Sequence, residues 1–388
     1  MTVAARGKTA AIARCLDGVR VLDLSQYLPG PHGAQILADL GAEVVKVEPP
    51  GGDPMAGIGP RDGDGISAFY KLINAGKTVL RLDLKSAGDK RAFQDLVGGA
   101  DVLLESYRPG VLARLGLGTQ ALRALNPRLV HCALSGFGQS GPAAGAGGHD
   151  ITYMALGGGL ATSGTVERPV AAHPPAADFA GGMQAALTIL AALLRRARTG
   201  AGAVIDVSLM ETVLAWQGIV LTGARRPGWA PARGAGLLSG GAACYGVYET
   251  ADGRFVALGA LEEKFWANFC RAMGRQEWIA RHGEALPQSD LIDEVAAAFR
   301  TAPLAAWRRR MKGVDCCFQP VLEPEEVAED PQVRARGLVR QTGGADPLVE
   351  VLFPAFFDAR PPEPRPPLRV CGAGEVVKGW GAPSIPRR

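Results

Sequence analysis

The segment Gly147-Gly148-His149-Asp150-Ile151-Thr152-Tyr153 sets an imidazole beside a carboxylate, directly after a glycine pair and at the start of a predicted helix. Those two side chains can move protons or attack a carbonyl. Backbone N–H groups at a helix start also favour developing negative charge. The same residues support a plainer reading, with Asp150 as an ordinary helix cap and His149 as a loop residue. Asp178 precedes a helix predicted over residues 179–198, whose end carries Arg195, Arg196 and Arg198 before Gly200, and it fits an N-cap. Arg108 and Arg114 follow the strand predicted at 101–105, on the strand's carboxyl side, where open α/β sheets bind ligands. Solvated arginines would fit there equally. Glu262, just after another predicted strand, reads either as a surface glutamate or as a side chain projecting into a cleft between domains.

The elements that would position these groups begin with a strand at 19–24, a helix at 32–40 with Pro31 in its first turn and Gly41 at its end, and a strand at 43–48. Strand, helix, strand within thirty residues is a βαβ unit and implies a parallel sheet with a right-handed crossover. The glycine pattern here is Pro29-Gly30-Pro31-His32-Gly33 rather than G-x-G-x-x-G, which argues against a nicotinamide dinucleotide. Residues 51–65 read as a long exposed loop. Further strands are predicted at 78–84 and 129–134, and residues 204–209 read as a strand or as the start of a helix through 216. A Gly, Pro, Ala and Arg-rich stretch at 218–241 reads as a linker. A hairpin at 245–250 and 254–258 with helices at 263–273, 291–299 and 304–312 then makes a separate α+β unit. The expected domains are an N-terminal extension (1–17), a large domain (18–217), the linker, a small domain (242–330), and a return to the large domain with an extended, proline-rich tail (331–388).

With 388 residues the chain has the length of two domains or one large elaborated one. Its 42 basic and 38 acidic residues leave a net charge of +4, too little for a protein that coats nucleic acid. The seven cysteines are scattered without a C-x-x-C pair, so neither a disulfide framework nor a zinc site is expected, and a reducing cytoplasm fits best. Residues 1–17 lack the apolar core of a secretory signal. The most apolar run, 183–194, falls short of the ~20 residues that span a bilayer, so no membrane partner is expected.

Several motifs together resemble one family: the 28–48 unit, Leu82-Asp83-Leu84-Lys85, the segment 105–110, Gly148-His149-Asp150-Ile151-Thr152-Tyr153, Ala177-Asp178-Phe179-Ala180-Gly181-Gly182, and Gly259-Ala260-Leu261-Glu262. The chain resembles the class III CoA-transferases, and within them the alpha-methylacyl-CoA racemase branch. The resemblance implies a Rossmann-like large domain with a parallel sheet, a smaller α+β domain, and an interlocked homodimer acting on an acyl-CoA substrate. Coenzyme A would enter as part of that substrate, with no prosthetic group and no metal. It further implies His149, Asp178, Asp150 and Glu262 at the acyl-CoA site, and Asn74, Lys77, Tyr107, Arg108 and Arg114 at the coenzyme. Two activities follow from it. The first is racemisation of 2-methylacyl-CoA by 1,1-proton transfer through an enolate, with His149 and Asp178 as the two bases and Glu262 orienting His149. The alternative is CoA transfer through an aspartyl-CoA intermediate at Asp150. A CoA-binding protein without turnover is a third, weaker expectation. Met154, Met183 and Met210 would either line an adaptable acyl pocket or belong to the core.

Overall fold

Six parallel strands carry the architecture: β1 (Arg20–Leu24), β2 (Glu43–Glu48), β3 (Thr78–Arg81), β4 (Val102–Glu105), β5 (Val130–Ser135) and β6 (Ala203–Ser208). The structure is a computed structural model that describes residues 14–226 and 233–380. The expected N-terminal extension therefore lies mostly outside the described residues, as do part of the expected linker and the last residues of the tail. Contacts group the chain into two compact units. The first runs up to Tyr153 and adds Pro175–Val213 and the chain from Pro331 onward. The second holds Met154–Pro174 and Leu214–Asp330.

In the first unit the sheet order is β3-β2-β1-β4-β5-β6, with a short strand Arg369–Val370 added parallel to β3 at the edge. The strands β1, β4 and β5 are buried on both faces and correspondingly rich in Val and Leu, as a parallel sheet covered by helices requires. Strand order reverses between β1 and β4, and at such a switch point the following loops part to open a crevice beyond the carboxyl ends. The first helix begins at Pro29, earlier than the pattern predicts. Both prolines fall in its first turn, where a missing N–H costs nothing. It crosses helix Ala176–Thr199 backbone to backbone. A Cβ on Gly33 would stand 2.7 Å from the Gly182 carbonyl oxygen, and one on Gly182 would stand 2.4 Å from that of Pro29.

Helix Ala176–Thr199 is longer than the sequence pattern suggests. By length and composition it could cross a membrane, and 44% of its most apolar window is buried. The ambiguous stretch at 204–209 resolves into both options, β6 followed directly by helix Leu209–Trp216. The tail is not a plain extended wrap. It forms an antiparallel pair, Val339–Gln341 with Val349–Val351, then the edge strand, then helix Ala373–Gly379. Arg365 locks it down, reaching both oxygens of Asp39 at 2.6 and 2.7 Å and Glu350 Oε1 at 3.3 Å.

Below the carboxyl ends of β1 and β2 lies a buried charge cluster. Lys77 Nζ donates to Asp23 Oδ2 (3.0 Å), Pro31 O (2.8 Å) and Asn74 Oδ1 (3.0 Å). Lys46 Nζ pairs with Asp53 Oδ2 at 2.9 Å, both side chains fully buried, and donates to Ser25 O at 2.7 Å. Burial opposes the charge on Asp23, but Lys77, Lys46 and Ser25 outweigh it and hold its carboxyl below the ordinary value. Burial lowers the Lys77 ammonium to about 8 despite Asp23 beside it. The loop at 51–65 is thus not simply exposed, because its Asp53 is a core residue.

The second unit is a three-stranded antiparallel sheet, Tyr245–Glu249, Phe255–Gly259 and Phe318–Pro320, over helices Glu263–Met273, Ser289–Phe299 and Leu304–Arg310. Trp266, Phe269, Trp278, Phe299 and Trp307 fill its core. Part of the sequence read as linker is helical, at Gly218–Gly223.

Candidate functional site

A cavity of about 600 Å³ opens at the β1/β4 switch point. Four strand ends contribute to it: Tyr27 after β1, Ser106 and Arg108 after β4, Gly136 after β5 and Leu209 after β6. The 144–153 segment and Asp178 complete the wall, and every lining residue belongs to the first unit. His149 and Asp178 therefore meet at one cavity.

Asp178 is not an N-cap: helix Ala176–Thr199 starts before it, with Pro175 in the cap position. The free amides of that first turn are satisfied from another segment, because Ala177 N–H and Asp178 N–H both donate to Asp150 Oδ1, at 2.7 and 3.1 Å. Asp150 is thus the capping carboxylate, joined to its helix across twenty-seven residues of sequence. Both bonds end on Oδ1, and neither engages Oδ2, the atom a nucleophilic Asp150 would use. Desolvation, then the neighbouring Asp150 charge, raises the Asp178 carboxyl to about 7. Such a group can accept or return a proton near neutrality. Asp150→Ala is expected to destabilise the protein by about 1 kcal/mol, within the ordinary range for a lost cap. It should also lower the Asp178 pKa. Asp150→Asn, which keeps an acceptor oxygen, should retain most of the stability. Thermal melts and a carboxyl-carbon NMR titration of Asp178 check both.

The exposed His149 imidazole stands in the cavity wall on a fixed backbone. His149 N–H donates to Thr152 Oγ1 at 3.1 Å, and that hydroxyl donates back to the His149 carbonyl at 2.7 Å. The amides of Thr152 and Tyr153 turn onto the same carbonyl, while those of Asp150 and Ile151 come too early in the helix to have an intrahelical partner. Tyr153 donates to Gly148 O at 2.6 Å, and its ring lies where a Cβ on Gly136 or Gly148 would stand 2.4 or 2.6 Å away. Burial, then Asp178, pushes its hydroxyl up to about 12. Across the cavity the Tyr27 ring meets His149 edge-on, centroids 6.1 Å apart, and Tyr27 has φ +63°. His32 packs edge-on against Phe179 at 4.9 Å. Burial, Lys77 and Arg365 lower it to about 4, so it is neutral at physiological pH.

A second cavity, of about 390 Å³, lies beyond β2, β3 and β4, walled by Pro49, Asp83, Lys85 and Arg114 among others. Tyr107 lines both cavities. Arg108 lies along the larger one, its guanidinium occupying the space a Cβ on Gly147 would need. Tyr107, Arg108 and Arg114 thus stand where a coenzyme could reach them. Asn74 and Lys77 do not, because both are buried in the charge cluster and bonded to one another. Their expected coenzyme contacts are corrected to structural roles. Glu262 belongs to the second unit, exposed at the residue before helix Glu263–Met273. Met154 is buried and Met183 exposed, and neither lines the larger cavity. Nothing in the residue pattern points to Tyr27, or to Asp150 as the cap of helix Ala176–Thr199. A tyrosine carries no mark of positive φ, and the cap joins two distant segments.

The family model described as CoA-transferase family III matches residues 16–372. The chain is 37% identical over 333 residues to alpha-methylacyl-CoA racemase of Homo sapiens, covering 83% of this chain and 81% of that protein. It is also 35% identical over 378 residues to acetyl-CoA:oxalate CoA-transferase of Acetobacter aceti, covering 95% and 92%. Among solved structures, a CAIB/BAIF family protein from Brucella suis superposes with a TM-score of 0.81 at 25% identity, over 94% of this chain and 98% of that one.

Proposed function

We propose that this chain, which belongs to CoA-transferase family III, racemises 2-methylacyl-CoA thioesters by proton transfer at the carbon next to the thioester. The observation that carries the reading is the pairing, at one cavity, of the His149 imidazole with an Asp178 carboxyl raised to about 7. Inversion needs a base on one face of the enolate and an acid on the other, and two such groups can exchange those roles with the direction of reaction. The enolate oxygen would be met by the first-turn amides of Asp150 and Ile151, where a lost donor typically costs ~3–4 kcal/mol of transition-state stabilisation. In this reading the 3′-phospho-ADP end of the coenzyme occupies the smaller cavity, near Lys85 and Arg114. Its pantetheine arm passes Tyr107 into the larger one.

CoA transfer is the second reading, supported by the likeness to a transferase at similar identity. Under it Asp150, through the Oδ2 that the two capping bonds leave unengaged, is the carboxylate that forms the acyl anhydride and then the CoA thioester. We also propose that the protein is a homodimer. Helix Ala176–Thr199 leaves Met183, Leu187 and Leu194 58–60% exposed along one face, more apolar surface than an isolated helix face usually shows to water.

One experiment divides the readings. A 2-methylacyl-CoA is incubated with the protein in deuterated water, without a second acid. Exchange and inversion at the α-carbon are the expected results. A CoA adduct on Asp150, detected by mass spectrometry without α-exchange, would replace racemisation by transfer.

A further inference from the structure

We propose that Tyr27 is a positioning residue for His149, held in place by the buried Lys46–Asp53 ion pair. Tyr27 has φ +63°, a backbone conformation in which L side chains other than Asn and Asp are rare. A glycine would adopt it without strain, so a tyrosine there must be enforced by its surroundings. The enforcement is visible on both sides of Gln26. Tyr27 N–H donates to Asp53 Oδ1 at 3.1 Å, and that oxygen also takes Met55 N–H at 3.0 Å. Asp53 Oδ2 lies 2.9 Å from Lys46 Nζ, which holds the Ser25 carbonyl at 2.7 Å, while Asp23 Oδ1 accepts Ser25 N–H at 3.0 Å. Residues 25 and 27 are thus each tied to charges that have no contact with water. The short turn between β1 and the next helix has little freedom left.

The fixed turn has one visible product. It presents the Tyr27 ring, 41% exposed, in the cavity wall, edge-on to the His149 ring with an interplanar angle of 89°. Edge-to-face is a favoured geometry for two aromatic rings. His149 is otherwise exposed, so the tyrosine edge restricts the rotamers an open imidazole would sample. It also gives the long 51–65 segment a purpose, that of carrying Asp53 under the turn. Displacement of a reacting group by about 1 Å can cost a hundredfold in rate.

The test uses Tyr27→Gly, which removes the ring while relieving the backbone, and Tyr27→Phe, which keeps the ring. With an acyl-CoA that the wild type turns over, Tyr27→Gly should lower kcat at least tenfold with KM within twofold of wild type. Its melting temperature should be equal or higher. Tyr27→Phe should stay within twofold in both constants. A second arm does not depend on the proposed reaction. The rate of His149 carbethoxylation by diethyl pyrocarbonate, read by peptide mass spectrometry, should rise at least threefold in Tyr27→Gly and match wild type in Tyr27→Phe. If the protein turns over neither proposed substrate class, that failure falls on the proposed activity, and the labelling arm alone decides the role of Tyr27. Unchanged labelling in Tyr27→Gly overturns the inference. So does a raised KM at unchanged kcat, or a Tyr27→Phe variant as impaired as Tyr27→Gly.

Discussion

Asp178→Asn is expected to lower turnover by a factor of about 10²–10⁴, the usual worth of a positioned acid–base group, and at the same time to raise the melting temperature at pH 8. Both follow from one carboxyl group that desolvation and Asp150 hold at about 7 instead of the ordinary 3.8. A group whose pKa is higher in the folded state than in the unfolded chain binds its proton more tightly when folded. Its contribution to stability is therefore fully present below about pH 4 and is lost as pH rises through about 7. At pH 8 the wild type carries a carboxylate that the fold disfavours, whereas asparagine carries none. Melting curves of the two proteins should coincide near pH 4 and separate in favour of the variant above pH 6. The rate should show the same ionisation, with kcat/KM for the two directions of racemisation changing together across about pH 7, because the equilibrium between the two epimers does not depend on pH. Parallel melting curves at every pH would mean that Asp178 is an ordinary surface carboxylate.

The second large effect is on folding and turns on the absence of a side chain. Replacing Gly182 by alanine puts a Cβ 2.4 Å from the Pro29 carbonyl oxygen, and Gly33→Ala puts one 2.7 Å from the carbonyl of Gly182. Both obstacles are backbone, so neither helix can yield by turning a side chain. Separating the helices would open the contact between Pro29–Asp39 and Ala176–Thr199, which fixes Asp178 relative to the turn after β1. A loss of about 2–3 kcal/mol is expected for either change, read as a lower urea midpoint. Gly98 supplies the contrast. It lies in helix Ala87–Gly99 with nothing within 4 Å of where a methyl group would stand, and alanine there should add about 0.5–1 kcal/mol.

The sheet is legible in the sequence because its strands are short, β-branched and bounded by turn residues. The 43–48 strand and the 263–273 helix match their predicted bounds to the residue. The edge strand Arg369–Val370 does not show, because two residues give no alternation to read and its pairing is with a strand near the other end of the chain. The site divides along similar lines. Motif resemblance groups His149 with Asp178, and both line one cavity. The raised Asp178 pKa owes part of its shift to Asp150, whose bonding is non-local, whereas local spacing suggests only a cap for its own helix. Lys77 and Asn74 mislead for a related reason. Resemblance alone places them at the coenzyme, and only the tertiary arrangement of Asp23, Pro31 and Asn74 supplies the three acceptors that make the burial of Lys77 tolerable.

The returning tail has a consequence for the order in which this protein can be made. The second unit is complete once Asp330 has been synthesised, since all of its segments precede that point. The first unit supplies the earliest strands, but it waits for Arg365 to clamp Asp39 and for Arg369–Val370 to cover β3. Until then the emerging chain carries a parallel sheet with an unpaired edge, the kind of surface that recruits other strands. The part synthesised first is thus the part finished last, and its stretch of exposure on the ribosome is set by how quickly the second unit's residues are translated.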